Sequence, residues 1–210
     1  MRALFFDTET TGLPKDKKKS ANDGPGNWPE PVSISWIVTD EKTVIRGKSY
    51  IVRPNGWQIP ADSIRIHGIT QKLAEENGTD LSHILGEFVR DLRSVDMVIA
   101  HNLEFDKNVF LSAVLYLTKD TLAVHWPKYE FCTMENARNL CKLVTASSFS
   151  YKSPRLSELY EYAFKTKPAE SMLHTSLGDV QLLVACFFRI WTLKQAAAYV
   201  REDSQSPVAL

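Results

Sequence analysis

The chain has 210 residues, 44% of them hydrophobic, and its 25 basic and 25 acidic side chains cancel. A chain of this length buries one sizeable core but leaves two full domains cramped, so residues 1–210 are read as a single domain. The balanced charge excludes strong, sequence-independent grip on a polyanion by the whole surface, which makes any nucleic-acid contact a local one.

Cys132, Cys141 and Cys186 are odd in number and lack the close pairing of a zinc knuckle or redox motif. Reduced thiols acting as small buried hydrophobes are expected. The apolar run Ala3 to Phe6 is too short for a signal core. Val180 to Trp191 is interrupted by Gln181 and Arg189 and falls short of the roughly 20 residues that span a bilayer. The expectation is a soluble protein of a reducing, intracellular compartment, cytoplasm or nucleus, with no membrane partner.

In chain order, Arg2 to Asp7 is an apolar run ending in a carboxylate, which predicts a central strand delivering Asp7 to the sheet edge. Residues 14–31 hold Pro14, Lys15, Lys17, Lys18, Lys19 and further glycines and prolines. They read as a long basic loop, too polar to pack. Val32 to Thr39 and Thr43 to Val52 are β-type runs separated by Asp40-Glu41-Lys42, which predicts a hairpin. Leu81, Ile84, Leu85, Phe88, Val89 and Leu92 recur at helical spacing, with Asp80 or Ser82 placed to cap. Met97 to Ala100 is a compact strand, and Phe105 to Leu117 carries the next helical pattern. Further helices are predicted over Met134 to Leu143, Leu156 to Phe164 and Leu177 to Leu193, and residues 201–210 read as a flexible polar tail. No internal repeat is visible.

Asp7-Thr8-Glu9 places two carboxylates two residues apart, and on an extended strand both project to one face, where they can touch the same ion. Carboxylates leaving a buried strand carry a desolvation cost unless a cation or donor meets them. Asp106 falls in the first turn of the helix after the Ile99-Ala100 strand. Asp179 falls at the opening of the last long helix, with His174 five positions earlier and Thr175 or Ser176 available as cap. Taken singly, Asp106 and Asp179 read as ordinary helix-start residues before they read as ligands, since the amino-terminal dipole stabilises an anion.

Taken in order, Phe-Asp7-Thr-Glu9-Thr-Thr-Gly-Leu, Ala-His-Asn-Leu-Glu-Phe-Asp106 and His174-Thr-Ser-Leu-Gly-Asp179 resemble the DEDDh exonuclease family, which includes polymerase proofreading exonucleases and ribonuclease T. Ile66-His67-Gly68-Ile69-Thr70, Cys132-Thr133 and Leu156-Ser-Glu-Leu159 extend the resemblance over about residues 3–192. A sister family carries tyrosine four positions before the last aspartate. Thr175 stands there, and His174 occupies the histidine position.

The resemblance implies an α/β, ribonuclease H-like fold: a mixed five-stranded sheet flanked by helices, with the active site at the sheet edge. It implies two divalent cations, with Asp7 bridging them, Glu9 and Asp179 on the ion that carries the nucleophile, and Asp106 supporting the other through water. All-oxygen ligation favours Mg²⁺ or Mn²⁺ over zinc. His174 would activate the attacking water, which an imidazole titrating near pH 6.5 is suited to do. Thr10, Thr11, Gly12, Leu13, Asn102 and Phe105 would meet the terminal nucleotide, and His67 with Gly68 the terminal sugar or phosphate. The implied partner is DNA or RNA with a free 3′ end, shortened in the 3′-to-5′ direction, with single strands preferred. A polymerase or a homodimer partner is left open. Alternatives at this level are a non-catalytic nucleic-acid-binding module of the same fold and a ribonuclease H-type endonuclease.

Overall fold

Strand β1 (Arg2–Thr10) lies at the centre of the sheet because its side chains have two apolar layers to enter. Alternation sends Leu4 and Phe6 into one layer and Ala3 and Phe5 into the other, all four fully buried. The strand does not stop at Asp7 but continues to Thr10, so the acidic pair sits within it. The computed structural model describes residues 1–23, 26–119, 124–144 and 150–203, with side chains up to residue 199.

The expected hairpin forms from β2 (Pro31–Asp40) and β3 (Thr43–Ile51), with Glu41 in the left-handed region at φ 49° to turn the chain. Two short helices follow, α1 (Ala61–His67) and α2 (Gln71–Asn77). Seven residues each is too little for a helical period to declare itself, and the sequence pattern does not reveal them. α3 (Leu81–Leu92) begins after Asp80, whose side chain makes no capping bond. Strand β4 (Met97–Ala100), α4 (Leu103–Thr118), β5 (Tyr129–Cys132), α5 (Thr133–Cys141) and α6 (Leu156–Phe164) complete the middle of the fold close to the expected positions.

The helix expected over Leu177 to Leu193 is α7 (Ser176–Ile190), and a further helix that the sequence reading did not include, α8 (Leu193–Asp203), follows it at 86°. Trp191 is extended, and Thr192 opens a reciprocal cap: its N–H donates to Gln195 Oε1 at 2.9 Å while its Oγ1 accepts from the Gln195 N–H at 3.3 Å. A Thr-x-x-Gln box of this kind is a sequence signature of a fresh helix start, which the sequence reading passed over. Residues 201–203 of the expected tail are helical, and 204–210 lie outside the described residues. No single helix among the described residues is long and apolar enough to cross a membrane.

The sheet order is β3-β2-β1-β4-β5, antiparallel on the β2 side of β1 and parallel on the β4 side. This mixed five-stranded sheet between helical layers is the expected ribonuclease H-like architecture. Phe88 of α3 anchors one layer, with ring centroids 5.2 Å from Phe6, 5.3 Å from Trp36 and 4.4 Å from Phe110. Phe5, Phe131, Phe187 and Trp191 fill the other layer beneath α6, α7 and α8. The basic loop, too polar to pack by its composition, is nevertheless anchored to the body through Trp28, the residue best suited to dock it. Ala21 and Trp28 are buried in the first layer, Trp28 Nε1 donates to the Lys19 carbonyl at 3.1 Å, and the Ala21 N–H donates to Asn108 Oδ1 at 2.7 Å. Two apolar residues and a stapled backbone outweigh the polar composition around them; Lys15, Lys17, Lys18 and Lys19 remain exposed.

Because Phe88 is fully buried against three rings, Phe88→Ala is expected to cost about 3–5 kcal/mol in urea unfolding. A loss below about 1 kcal/mol would mean that the layer closes over the gap.

Candidate active site

β1 is longer than the strand it pairs with on one side. β4 covers only Ala3–Phe5, through Met97–Ile99, so the β1 edge from Asp7 onward is open on the β4 side. Asp106, in the first turn of α4 directly after β4, fills that opening. Its Oδ1 accepts from the Thr8 N–H at 3.0 Å and from Thr8 Oγ1 at 2.7 Å. Strand alternation puts Thr8 on the α4 side and Asp7 and Glu9 on the α7 side. The middle residue of Asp-Thr-Glu is therefore a structural part of the site, which the sequence reading passed over.

The opposite wall is the start of α7. Thr175 caps it, accepting from the Gly178 N–H at 3.1 Å. Ser176 is buried, its Oγ within 2.9 Å of Ser33 Oγ and 2.7 Å of Ser35 Oγ, and Ser35 donates onward to Ser49 at 2.9 Å. This hydroxyl chain rivets the His174–Asp179 turn to β2 and has no local signature, because its members are about 140 positions apart. Gly178 is needed for close approach: a Cβ there would stand 2.1 Å from the Met172 carbonyl oxygen. His174 sits in the left-handed region at φ 61°, a conformation that costs about 1–3 kcal/mol outside glycine and turns the chain sharply into the cap.

Asp7, Glu9 and Asp179 each offer an oxygen to one cluster, all within 4.8 Å of one another. Asp106 approaches from the Thr8 side and adds its field. Burial, then the neighbouring carboxylates Asp106, Asp179 and Glu9, push Asp7 well above the usual carboxylate range. Burial and the charges of Asp179 and Asp106 raise Glu9 to about 7. Burial raises Asp106 to about 7 against the opposing Thr8 hydrogen bonds. Asp179 rises to about 6, again by burial, with the His174 ring charge and backbone N–H holding it down. His174 is thus close enough to act on the cluster, and it is exposed. Oxygen donors crowded this closely, with ionisation suppressed mainly by burial and mutual repulsion, fit a hard divalent cation.

Leu13, Asn102 and Phe105, among the other expected contact residues, line one cavity. Thr10, Thr11, Gly12 and Leu13 continue from the end of β1. The Thr10 hydroxyl donates to the Gly12 carbonyl at 2.8 Å, whereas Thr11 bonds Glu30 through both its N–H and its hydroxyl at 3.0 Å and so clamps the base of the loop. Leu13 is 70% exposed, an unusual state for a leucine beside a cleft. His67 is buried, with Nδ1 accepting from the Ile69 N–H at 3.1 Å and the ring against the Thr10 carbonyl. Burial lowers its pKa, so it stands neutral beside the β1 end, while Gly68 is exposed in the left-handed region at φ 73°. Asn102 enters α4 at φ 77°, and Phe105 packs edge-on to Trp28 with centroids 5.9 Å apart. His101 is half-buried, its ring nitrogens 3.0 Å from Thr133 Oγ1 and from the Pro154 carbonyl, and burial lowers its pKa to about 4. It clamps β4 to the start of α5.

Two outcomes follow from this geometry. Gly178→Ala forces the turn away from Met172 and is expected to cost about 1–3 kcal/mol, while also weakening stabilisation by divalent cations; thermal melts with and without metal test both. The carboxylates are raised from ordinary values of 3.8 and 4.5. The metal-free folded chain therefore holds more protons than the unfolded chain between roughly pH 4 and pH 7, and its stability falls as pH rises through that window. Millimolar Mg²⁺ or Mn²⁺ is expected to raise Tm by an amount that grows over the same interval. A metal effect that shrinks toward neutral pH would contradict the cluster.

A comparison with curated proteins gives no match. The family model for exonucleases of the RNase_T type matches residues 4–187. Among solved structures, Escherichia coli Exonuclease I in complex with a 5cy-dA13 oligonucleotide superimposes with a TM-score of 0.68 at 19% identity, over 94% of this chain and 42% of that one. Exonuclease I from Methylocaldum szegediense gives 0.66 at 22% identity, over 88% of this chain and 39% of that one. The chain thus spans less than half the length of these structures, and at such identities the likeness is one of fold. With the family model matched from β1 into α7, the chain belongs to the RNase_T exonuclease family.

Proposed function

We propose that this chain is a metal-dependent exonuclease that removes nucleotides from the 3′ end of DNA or RNA, preferably single-stranded, releasing nucleoside 5′-monophosphates. The observation that carries the proposal is the meeting of Asp7, Glu9 and Asp179 oxygens within 4.8 Å, with Asp106 and His174 beside them. Family membership supports nuclease chemistry on nucleic acid. That Exonuclease I structures hold dA13, dA16 and dT13 oligonucleotides supports a single-stranded substrate.

In this reading Asp7, Glu9, Asp179 and Asp106 hold two Mg²⁺ or Mn²⁺ ions, which when bound neutralise charge on the phosphoryl group and stabilise the leaving 3′ oxygen. His174 accepts the proton of the attacking water at a ring nitrogen. Its exposure leaves it free to swing, and its left-handed backbone projects it from the α7 cap beside Asp179. Thr8 holds the Asp106 carboxylate in place. Leu13 and Phe105 meet the terminal base, and the Thr10-to-Gly12 turn and the His67-Gly68 corner lie along the sugar and phosphate.

Matched linear and circular oligonucleotides test the proposal. With Mg²⁺, a 5′-labelled linear strand should shorten stepwise while a closed circle of the same sequence stays intact. Asp7→Asn should abolish shortening, and His174→Ala should slow it by roughly 10² to 10⁴. Cutting of the circle would mean endonuclease action, and an unchanged Asp7→Asn enzyme would remove the cluster from the chemistry.

A further inference from the structure

Between the packed loop and the start of α4 lies a cavity of about 220 Å³. Its walls are apolar on the Leu13, Pro14, Trp28 and Phe105 side, and Lys17, Asn102 and Glu104 line it as well. It adjoins the acidic cluster along the chain at two points: Leu13 follows Glu9 by four residues, and Phe105 directly precedes Asp106. Neither the Glu104 carboxylate nor the Lys17 ammonium forms a hydrogen bond or ion pair with another described residue, and they do not pair with each other. An anion and a cation border the same small cavity without meeting. In the neighbouring cavity of about 480 Å³, which shares Asn102 and Glu104, Lys107 is already spent on both oxygens of Glu130 at 2.7 and 2.8 Å. Unused opposite charges are thus a property of the smaller cavity.

A flat ligand with apolar faces and a mixed polar edge suits such walls, and a nucleobase has that form. The charges choose among the bases. An ionised carboxylate only accepts hydrogen bonds and does so best as a two-oxygen fork, whereas an ammonium only donates. Guanine alone among the common bases places two adjacent donor groups, N1–H and N2–H, beside an acceptor, O6. Adenine and cytosine offer the fork one amine, and uracil or thymine one ring N–H. We propose that this cavity reads the base at the 3′ end and prefers guanine, with Glu104 accepting from N1–H and N2–H, Lys17 donating to O6, and the apolar wall of Leu13, Pro14 and Phe105 meeting the base. Glu104 and Lys17 are then specificity-determining residues, and the loop of residues 14–31 supplies one wall of the specificity pocket. This inference rests on the exonuclease reading for the identity of the strand end but not for the binding itself.

Inosine, which is guanosine without the N2 amine, isolates the decisive contact. Isothermal titration of the wild-type chain with guanosine and inosine 5′-monophosphates in Mg²⁺ should give roughly tenfold tighter binding of the guanosine form, the scale of one hydrogen bond to a charged group. Glu104→Gln, at an exposed position where the fold should be untouched, should remove most of that difference without changing Tm. Excision rates on oligonucleotides ending in G, I, A, C or T should follow the same order. Equal affinity for the guanosine and inosine forms, or a preference retained in Glu104→Gln, overturns the assignment. Failure to shorten any oligonucleotide would instead strike the exonuclease reading, since the titration stands without turnover.

Discussion

The structure turns on the crowding of carboxylates where β1 outruns β4. A parallel neighbour covers β1 only as far as Phe5, and Asp7 and Glu9 lie just past the end of that cover. Burial there raises every acid of the group, reinforced at Asp7, Glu9 and Asp106 by neighbouring carboxylates, with Glu9 and Asp106 pushed to about 7 and Asp179 to about 6. Such an arrangement is unfavourable for a bare protein. It persists because the surrounding fold over-determines each position, and the same tension makes a hard cation welcome.

That over-determination comes from three sides. Below the acids, Phe5 and Phe6 fix β1 between two aromatic layers. On the α4 side, Thr8 spends its amide and its hydroxyl on Asp106. On the α7 side, Ser176 ties the helix start to Ser33 and Ser35, and Gly178 lets the turn close against Met172. These contacts are ordinary in energy, about 1 kcal/mol each for a neutral hydrogen bond and more where a carboxylate accepts. Their value here is positional, because a displacement of a fraction of an ångström matters more to clustered charges than to an apolar core.

The loop of residues 14–31 shows how composition misleads. Counting lysines, prolines and glycines predicts an unpacked excursion, yet Ala21 and Trp28 are buried and Thr11 and Glu30 lock its two ends together. A few apolar anchors decide whether a polar segment docks, and they contribute little to an average. Closing the loop this way gives the cleft a wall that the sheet and helices do not provide.

The sequence by itself determined the hairpin, the central apolar strand, the helices of clear 3.6-residue period and the candidate chemical groups, since those rest on spacing within a window of neighbours. It left α1 and α2 invisible because they are too short to show a period, and it missed α8, whose start follows the end of α7 almost at once. Only the tertiary structure decided that Thr8 serves Asp106, that Thr11 belongs to the loop clamp, that His67 is buried, and that Glu104 and Lys17 border one cavity. Each of these depends on which residues distant in sequence become neighbours, and that is set by strand overhang, sheet order and packing, quantities to which no local pattern of residues is sensitive.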